Sequence, residues 1–409
     1  MSCTDINVLK AVVSYSIQQN EQELGELSQK IWKNPELGFN EFEAHRILTE
    51  FLRRHGFEVE QHYILETGFR CSYGVDGGVV VCLICEYDAL PEIGHACGHN
   101  LIAECGAGAA VAVKTCIEKE LKNDPDFKGK VIVLGTPAEE SYGGKIHMIR
   151  GGALDGVDIA IMAHPFAHET VTPGVISRIV GKAIFRGKSS HAAGAPWDGQ
   201  NALDAAVTAY QSLACLRQHM KPGSFAHAII SKGGSRVNVI PDEAILEVAY
   251  RTTDTSYLRE LIDKAKLRMT GAALATECQV EISFEHDSAY DAMIHNHTLC
   301  KLYEENGRQN GVEFYDKDVT LGSSDMGNIS QLVPSIHPCF SIGTDAPNHS
   351  YEFTTASGSA EAQKRTLQTA KSLAMTAVDV LFTPGLLLQI QTDFRNQTTT
   401  VYQTFEGKV

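Results

Sequence analysis

The chain has 409 residues, 43% hydrophobic, 8% aromatic and 21% charged, which excludes a disordered or collagen-like chain and suits two or three globular domains. Lys and Arg number 35 against 50 Asp and Glu, and the formal charge of −15 lacks the footprint of a nucleic-acid or anionic-membrane binder. No apolar run approaches the ~20 residues of a spanning helix, and MSCTDINVLK has no basic stretch leading into an apolar one, so no signal peptide is expected.

The N-terminal third alternates helices and strands. Leu24, Leu27 and Ile31 recur at helical spacing. A second helix places Ala44, Ile47, Leu48, Phe51 and Leu52 on one face, with Asn40 and Glu43 as an expected cap and Gly56 as the stop. Val79–Cys85 is a continuous apolar run, as a strand buried on both faces requires. The pattern predicts a helix over 101–121 and strands over 130–135 and 157–163, so the fold class is α/β with a mainly parallel, mixed sheet flanked by helices. The middle changes rhythm. Strands are predicted over 178–186, 225–231, 243–251 and 278–284, with helices over 201–219 and 256–275, the first helix with Leu203, Val207, Tyr210 and Ala214 on one face. That order, β-α-β-β-α-β, is the ferredoxin-like pattern. A helix over 295–306, a strand over 336–342 and a long helix over 359–381 then resume the α/β pattern. The expected organisation is a catalytic α/β domain, 1–177 and 288–409, split by an inserted ferredoxin-like domain, 178–287.

The chemistry gathers at strand ends. GHACGHN, residues 94–100, places His95, Cys97 and His99 between a predicted strand and a predicted helix, where ligands bind in open α/β sheets. A thiol and an imidazole there suit a soft metal, although a Gly-rich turn carries the same letters. TPAEE brings Glu139 and Glu140 to another strand end; adjacent side chains diverge, so one can ligate while the other moves a proton. His164, in MAHPF, and His349, in DAPNHSYEF, end two further strands. Cys82 and Cys85 form a CxxC, but the run is β-rich and apolar and has no second CxxC, so buried core thiols are expected. The 11 cysteines, an odd number scattered from Cys3 to Cys339, fit a reducing, cytoplasmic setting.

EYDALPEIGHACGHN, TPAEE, AHP, GKSSHAAG, VNVIPD and NHSYEF together resemble the aminoacylase/carboxypeptidase-type dinuclear metallopeptidases, in their amidohydrolase branch. IGHACGHNLIAE is most similar to the aminoacylase-1-like β-alanyl-lysine dipeptidase group. The resemblance covers essentially the whole chain. It implies a zinc-peptidase-like catalytic domain and a metal-dependent dipeptidase preferring a basic C-terminal residue, or else an N-acyl-amino-acid amidohydrolase. It implies two divalent ions per subunit, zinc first with manganese or cobalt admitted, held by Cys97, His99, Glu140, His164 and His349, the thiolate bridging. Glu139 is the implied general base. His191 is implied to reach a partner subunit's site in a homodimer formed through the inserted domain. Asn238 and Arg251 are implied to hold substrate. There are two departures. Commoner members carry His-x-Asp before the metal site, and this chain has Glu86-Tyr87-Asp88, leaving Asp88 to orient a bound imidazole. Ser323-Ser324-Asp325 stands where many amidohydrolases have Ser-Glu-Asp.

Overall fold

The computed structural model describes residues 5–315 and 319–406. They form two compact units: Met1–Gly174 with Met293–Leu321 and Asp325–Val409, and Val175–Ala292 with Gly322–Ser324. The boundaries after 174 and 292 compare with expected crossings after 177 and 287.

The first unit is built on a six-stranded sheet in the order Glu58–Gln61, Phe69–Val75, Gly129–Gly135, Val79–Cys85, Ile159–Ile161, Ser335–Ile336. The first three strands pair antiparallel and the last four parallel. Val79–Cys85 lies at the centre, and its alternation divides two cores. Val81, Leu83 and Cys85 face one apolar cluster, Cys82 and Ile84 the other. The CxxC is thus split between opposite faces of a buried strand, and burial pushes the Cys82 thiol up to about 12. The helix His99–Asn123 packs across the sheet so closely that a Cβ on Gly106 would meet Cys85 Sγ at 2.6 Å. By length and composition alone this helix could cross a membrane, contrary to expectation, but 89% of its apolar window is buried inside the protein, as a core helix requires.

Two local expectations need correction. The helix Phe42–Arg54 is not capped by Asn40 and Glu43, since Asn40 donates to the Gly38 carbonyl. Its first N–H groups are satisfied from upstream, by Glu36, whose carboxylate accepts from Glu43 at 3.0 Å and Ala44 at 2.9 Å. The single strand expected over 336–342 is two, Ser335–Ile336 and Cys339–Ser341, broken at His337-Pro338 where proline has no N–H for the ladder.

The second unit is a four-stranded antiparallel sheet, in the order Phe225–Lys232, Glu243–Thr252, Ser177–Arg186, Gln279–Phe284, with two helices, Ala202–Leu216 and Thr255–Ala275. This is the ferredoxin-like order. The buried face of Ala202–Leu216 is not the predicted one. It is Ala202, Ala205, Ala206, Ala209, Leu213 and Leu216, while Val207 and Tyr210 are 39% and 38% exposed. Small side chains let the helix approach its core, and the larger apolar ones are turned outward.

Candidate metal centre

Each element of the centre starts where a parallel strand ends. After Val79–Cys85 the chain runs through Glu86 and Tyr87 to Asp88, all fully buried. Asp88 Oδ1 lies 2.8 Å from His99 Nδ1, and Oδ2 accepts the Glu140 N–H at 3.0 Å. Burial raises the Asp88 carboxyl, but the His99 charge and hydrogen bond and the Glu140 N–H outweigh it and hold it below its ordinary value. With Nδ1–H assigned to Asp88, His99 presents Nε2 inward. Gly98 adopts φ 74° just before this helix, and a Cβ there would meet Pro165 Cγ at 2.9 Å.

Cys97 Sγ lies 3.5 Å from His164 Nε2, and His164 Nδ1 is tied to the Pro165 carbonyl at 2.8 Å, which again leaves Nε2 for the centre. Burial and the His99 charge push His164 down to about 4, keeping it neutral. The loop after Cys339–Ser341 delivers His349, whose N–H donates to the Ala96 carbonyl at 2.9 Å. Its Nε2 lies 3.3 Å from Glu140 Oε1, and its side chain is 53% exposed.

Glu139 and Glu140 follow Gly129–Gly135 through a turn at Ala138, whose φ is 61°. That conformation costs an L-residue ~1–2 kcal/mol. Burial raises the Glu139 carboxyl well above its ordinary value, with Glu86, Glu140 and Asp325 adding to it and His99 opposing. Burial pushes Glu140 upward too, but its hydrogen bond to His349 and the charges of His99 and His349 bring it below the ordinary value.

Three sets of donor atoms lie within 4.8 Å of one another: Cys97, His99 and His164; Cys97, Glu140 and His349; His99, Glu139 and Glu140. Cys97 belongs to two of them. A divalent cation fits this arrangement on one observation. His99 Nε2 and Glu86 Oε2 are buried, 3.5 Å apart and without a hydrogen-bond partner, and Glu140 Oε1, paired only with the half-exposed His349 ring, lies 3.9 Å from His99 Nε2. Two orphaned polar atoms beside a third carboxylate oxygen would be costly unless a cation satisfied them.

Glu86, at the position where the resemblance led to the expectation of a His, belongs to a network that sequence reasoning missed. Lys145 Nζ lies 2.5 Å from Glu86 Oε1 and 2.6 Å from Asp325 Oδ1, and the Lys145 N–H donates to Asp325 Oδ2 at 3.0 Å. Burial lowers the Lys145 pKa, but the Asp325, Glu86 and Glu139 charges outweigh it and raise it overall. His337 was also missed. It is buried with neither ring nitrogen bonded, its ring 5.6 Å from that of His164. No local pattern announces either group, because their partners are distant in sequence.

The remaining expected residues belong to the second unit. His191 ends a two-residue strand, Ser190–His191, paired with Val239–Ile240, and the Asn238 carbonyl accepts the Ala192 N–H at 3.1 Å. His191 Nδ1 accepts the N–H groups of Ala193 at 3.2 Å and Gly194 at 2.9 Å, so the ring is exposed and offers Nε2–H outward. Arg251 is not brought to them. It lies near one end of Glu243–Thr252, eight residues or ~26 Å along the strand from Glu243 at ~3.3 Å per residue, while His191 and Asn238 follow the strand ends on the Glu243 side. Arg251 Nη1 donates to Ser323 Oγ at 3.0 Å, and burial together with Arg178, directly opposite it, lowers its pKa.

Residues 174–277 match the peptidase dimerisation domain of the M20 family. The chain is 44% identical to a mouse Xaa-Arg dipeptidase over 96% of its own length and 94% of that protein's. It is 28% identical to a p-aminobenzoyl-glutamate hydrolase polypeptide of Escherichia coli, over 94% of each chain. Its fold superposes on a dinuclear metal-binding M20 peptidase from Bacillus subtilis with a TM-score of 0.65 at 18% identity, covering 89% of this chain and 99% of that one. The chain belongs to the M20, or aminoacylase/carboxypeptidase-type, metallopeptidase family, in its amidohydrolase branch.

Proposed function

We propose that the protein is a cytoplasmic metallo-dipeptidase that cleaves the amide bond of dipeptides with a basic C-terminal residue, of the β-alanyl-lysine type. The observation that carries the reading is the meeting of orphaned His99 Nε2 with the donor atoms of Cys97, Glu140, His164 and His349. The activity named for the mouse relative supports the basic C-terminal residue. The free thiols at all ten described cysteines support a reducing compartment.

Under this reading Cys97, His99, Glu140, His164 and His349 would hold two divalent ions; the thiol and imidazoles suit zinc, and the carboxylate and imidazoles also admit manganese or cobalt. Bound there, the ions would supply an acidified water and a Lewis acid for the scissile carbonyl. Glu139 takes the proton of the attacking water and passes it to the leaving amine. Asp88 fixes the His99 tautomer from behind. Arg251 and Asn238 hold the substrate's carboxylate or carbonyl, and His191 donates Nε2–H to the developing oxyanion. The placement of Arg251 near one end of Glu243–Thr252, and of His191 and Asn238 past the other, supports their serving different copies, hence a homodimer.

Metal-stripped protein, reconstituted separately with zinc, manganese and cobalt, is assayed against dipeptides ending in Lys or Arg beside N-acyl amino acids. Metal-dependent release of Lys or Arg is expected. Activity on N-acyl amino acids alone would move the assignment to the amidohydrolase reading, which the p-aminobenzoyl-glutamate hydrolase relative favours. Undiminished activity in chelator would refute both.

A further inference from the structure

We propose that Glu41 is a positioning residue for Glu139, acting as a clamp on the left-handed turn at Ala138. The proposal rests on the reading that Glu139 moves the proton.

Ala138 is fully buried and adopts φ 61°, a conformation that L side chains rarely take. It stands immediately before Glu139, so any relaxation of its backbone swings the Glu139 side chain. Such conformations persist only where the surroundings over-determine them. Here Glu41, itself fully buried, supplies the restraint. Its Oε1 accepts the Ala138 N–H at 2.8 Å, and its Oε2 accepts the Thr67 hydroxyl at 2.7 Å. Thr67 is held in turn, because its carbonyl accepts the Tyr87 hydroxyl at 2.6 Å and faces His45 Nδ1 at 3.0 Å. On the far side the Ala138 carbonyl accepts the N–H groups of Tyr142 at 3.2 Å and Gly143 at 3.0 Å.

The segment that brings Glu41 also shapes the floor of the turn. Gly38 lies under Ala138, and a Cβ on Gly38 would meet Ala138 Cβ at 2.9 Å and Cα at 3.1 Å. Phe39 stacks on Tyr142 with ring centroids 5.3 Å apart. Residues 38–41 therefore grip the Ala138 turn from two directions, and neither grip touches the atoms that would hold metal. Loss of the clamp should misplace the base while leaving the ligands in position, and a misplacement of about 1 Å can cost ~10²-fold in rate.

The experiment uses the full-length, metal-reconstituted protein. For Glu41→Ala, kcat is expected to fall ~10- to 10²-fold with KM and metal content near wild type. Glu41→Gln keeps an acceptor for the Ala138 N–H and should recover most of the loss. Gly38→Ala perturbs the same turn by one methyl and is the second variant should Glu41→Ala fail to fold; its kcat should fall too. Ala138→Gly in the Gly38→Ala background removes the closer clash and should restore turnover in part. A wild-type kcat per folded molecule in Glu41→Ala overturns the clamp, as does a wild-type kcat in Gly38→Ala where Glu41→Ala does not fold, and so does loss of metal in step with activity. Glu139→Gln, assayed alongside, separates the two readings. If it is inactive while Glu41→Ala is fully active, only the clamp falls. If it is fully active, the proton-moving role of Glu139 falls and the clamp with it.

Discussion

Replacing Lys145 by Met tests the buried charge network next to the centre. Lys145, Glu86 and Asp325 have no solvent exposure, and the ammonium lies 2.5 and 2.6 Å from the two carboxylates. Met keeps much of the apolar stem and removes the charge, so the variant loses two charge-assisted hydrogen bonds, each contributing ~1.5–3 kcal/mol, or about 3–6 kcal/mol together. Removing one partner of a buried ion pair gives a similar figure, ~3–5 kcal/mol, because the carboxylates left behind stay dry and unpaired. The backbone N–H of residue 145 still serves Asp325, which argues for the lower half of both ranges, about 3–4 kcal/mol. The assay is urea unfolding of chelator-treated protein. Trp32 lies in the first unit, its Nε1–H bonded to the Thr354 carbonyl, and Trp197 is 77% exposed in the second, so fluorescence in a Trp197→Phe background reports the unit that holds the network. Adding Glu86→Gln should recover part of the loss, since one stranded charge is then removed. A loss below about 1 kcal/mol in Lys145→Met would refute the reasoning, because it would place the network in a far more polar environment than its burial implies.

Glu139→Gln keeps the shape of the side chain but cannot take a proton, so turnover should fall at least ~10²-fold with metal content unchanged; loss of metal from a folded variant would reverse the roles of Glu139 and Glu140. Cobalt-substituted protein should show a near-ultraviolet thiolate-to-metal band that Cys97→Ser abolishes, and a band surviving that change would exclude Cys97 as a ligand. Burial pushes His295 down to about 4, against the bond from its ring to the Pro173 carbonyl. The unfolded chain takes up this proton near pH 6.5 and the folded protein only near 4, so the stability tied to neutral His295 is present above pH 6.5 and is lost on acidification through that window, by roughly 3 kcal/mol. His295→Gln should flatten this slope, and an unchanged slope would show that other groups produce it.

What could be read from the sequence depended on whether the signal was local. Val79–Cys85 is apolar at every position because both faces are buried, and a strand of that kind is visible in seven letters. Phe69–Val75 escaped notice because Arg70, Ser72 and Gly74 interrupt its pattern, although it pairs along its whole length with Gly129–Gly135. The face of Ala202–Leu216 was misjudged for the opposite reason. Hydrophobic size suggested Val207 and Tyr210, whereas close packing selected alanines. The centre divides in the same way. Cys97, His99, Glu140, His164 and His349 each follow an apolar run closely enough for the run to point at them, and the structure draws their donor atoms together. Glu86 could be read only as a missing histidine. Its partners Lys145 and Asp325 lie 59 and 239 positions further along, and no periodicity connects residues so far apart. Once the fold joins them, the substitution has a physical reason. A carboxylate beside His99 brings a negative charge into a centre already rich in Glu and Asp, and a buried lysine is what allows that charge to stay.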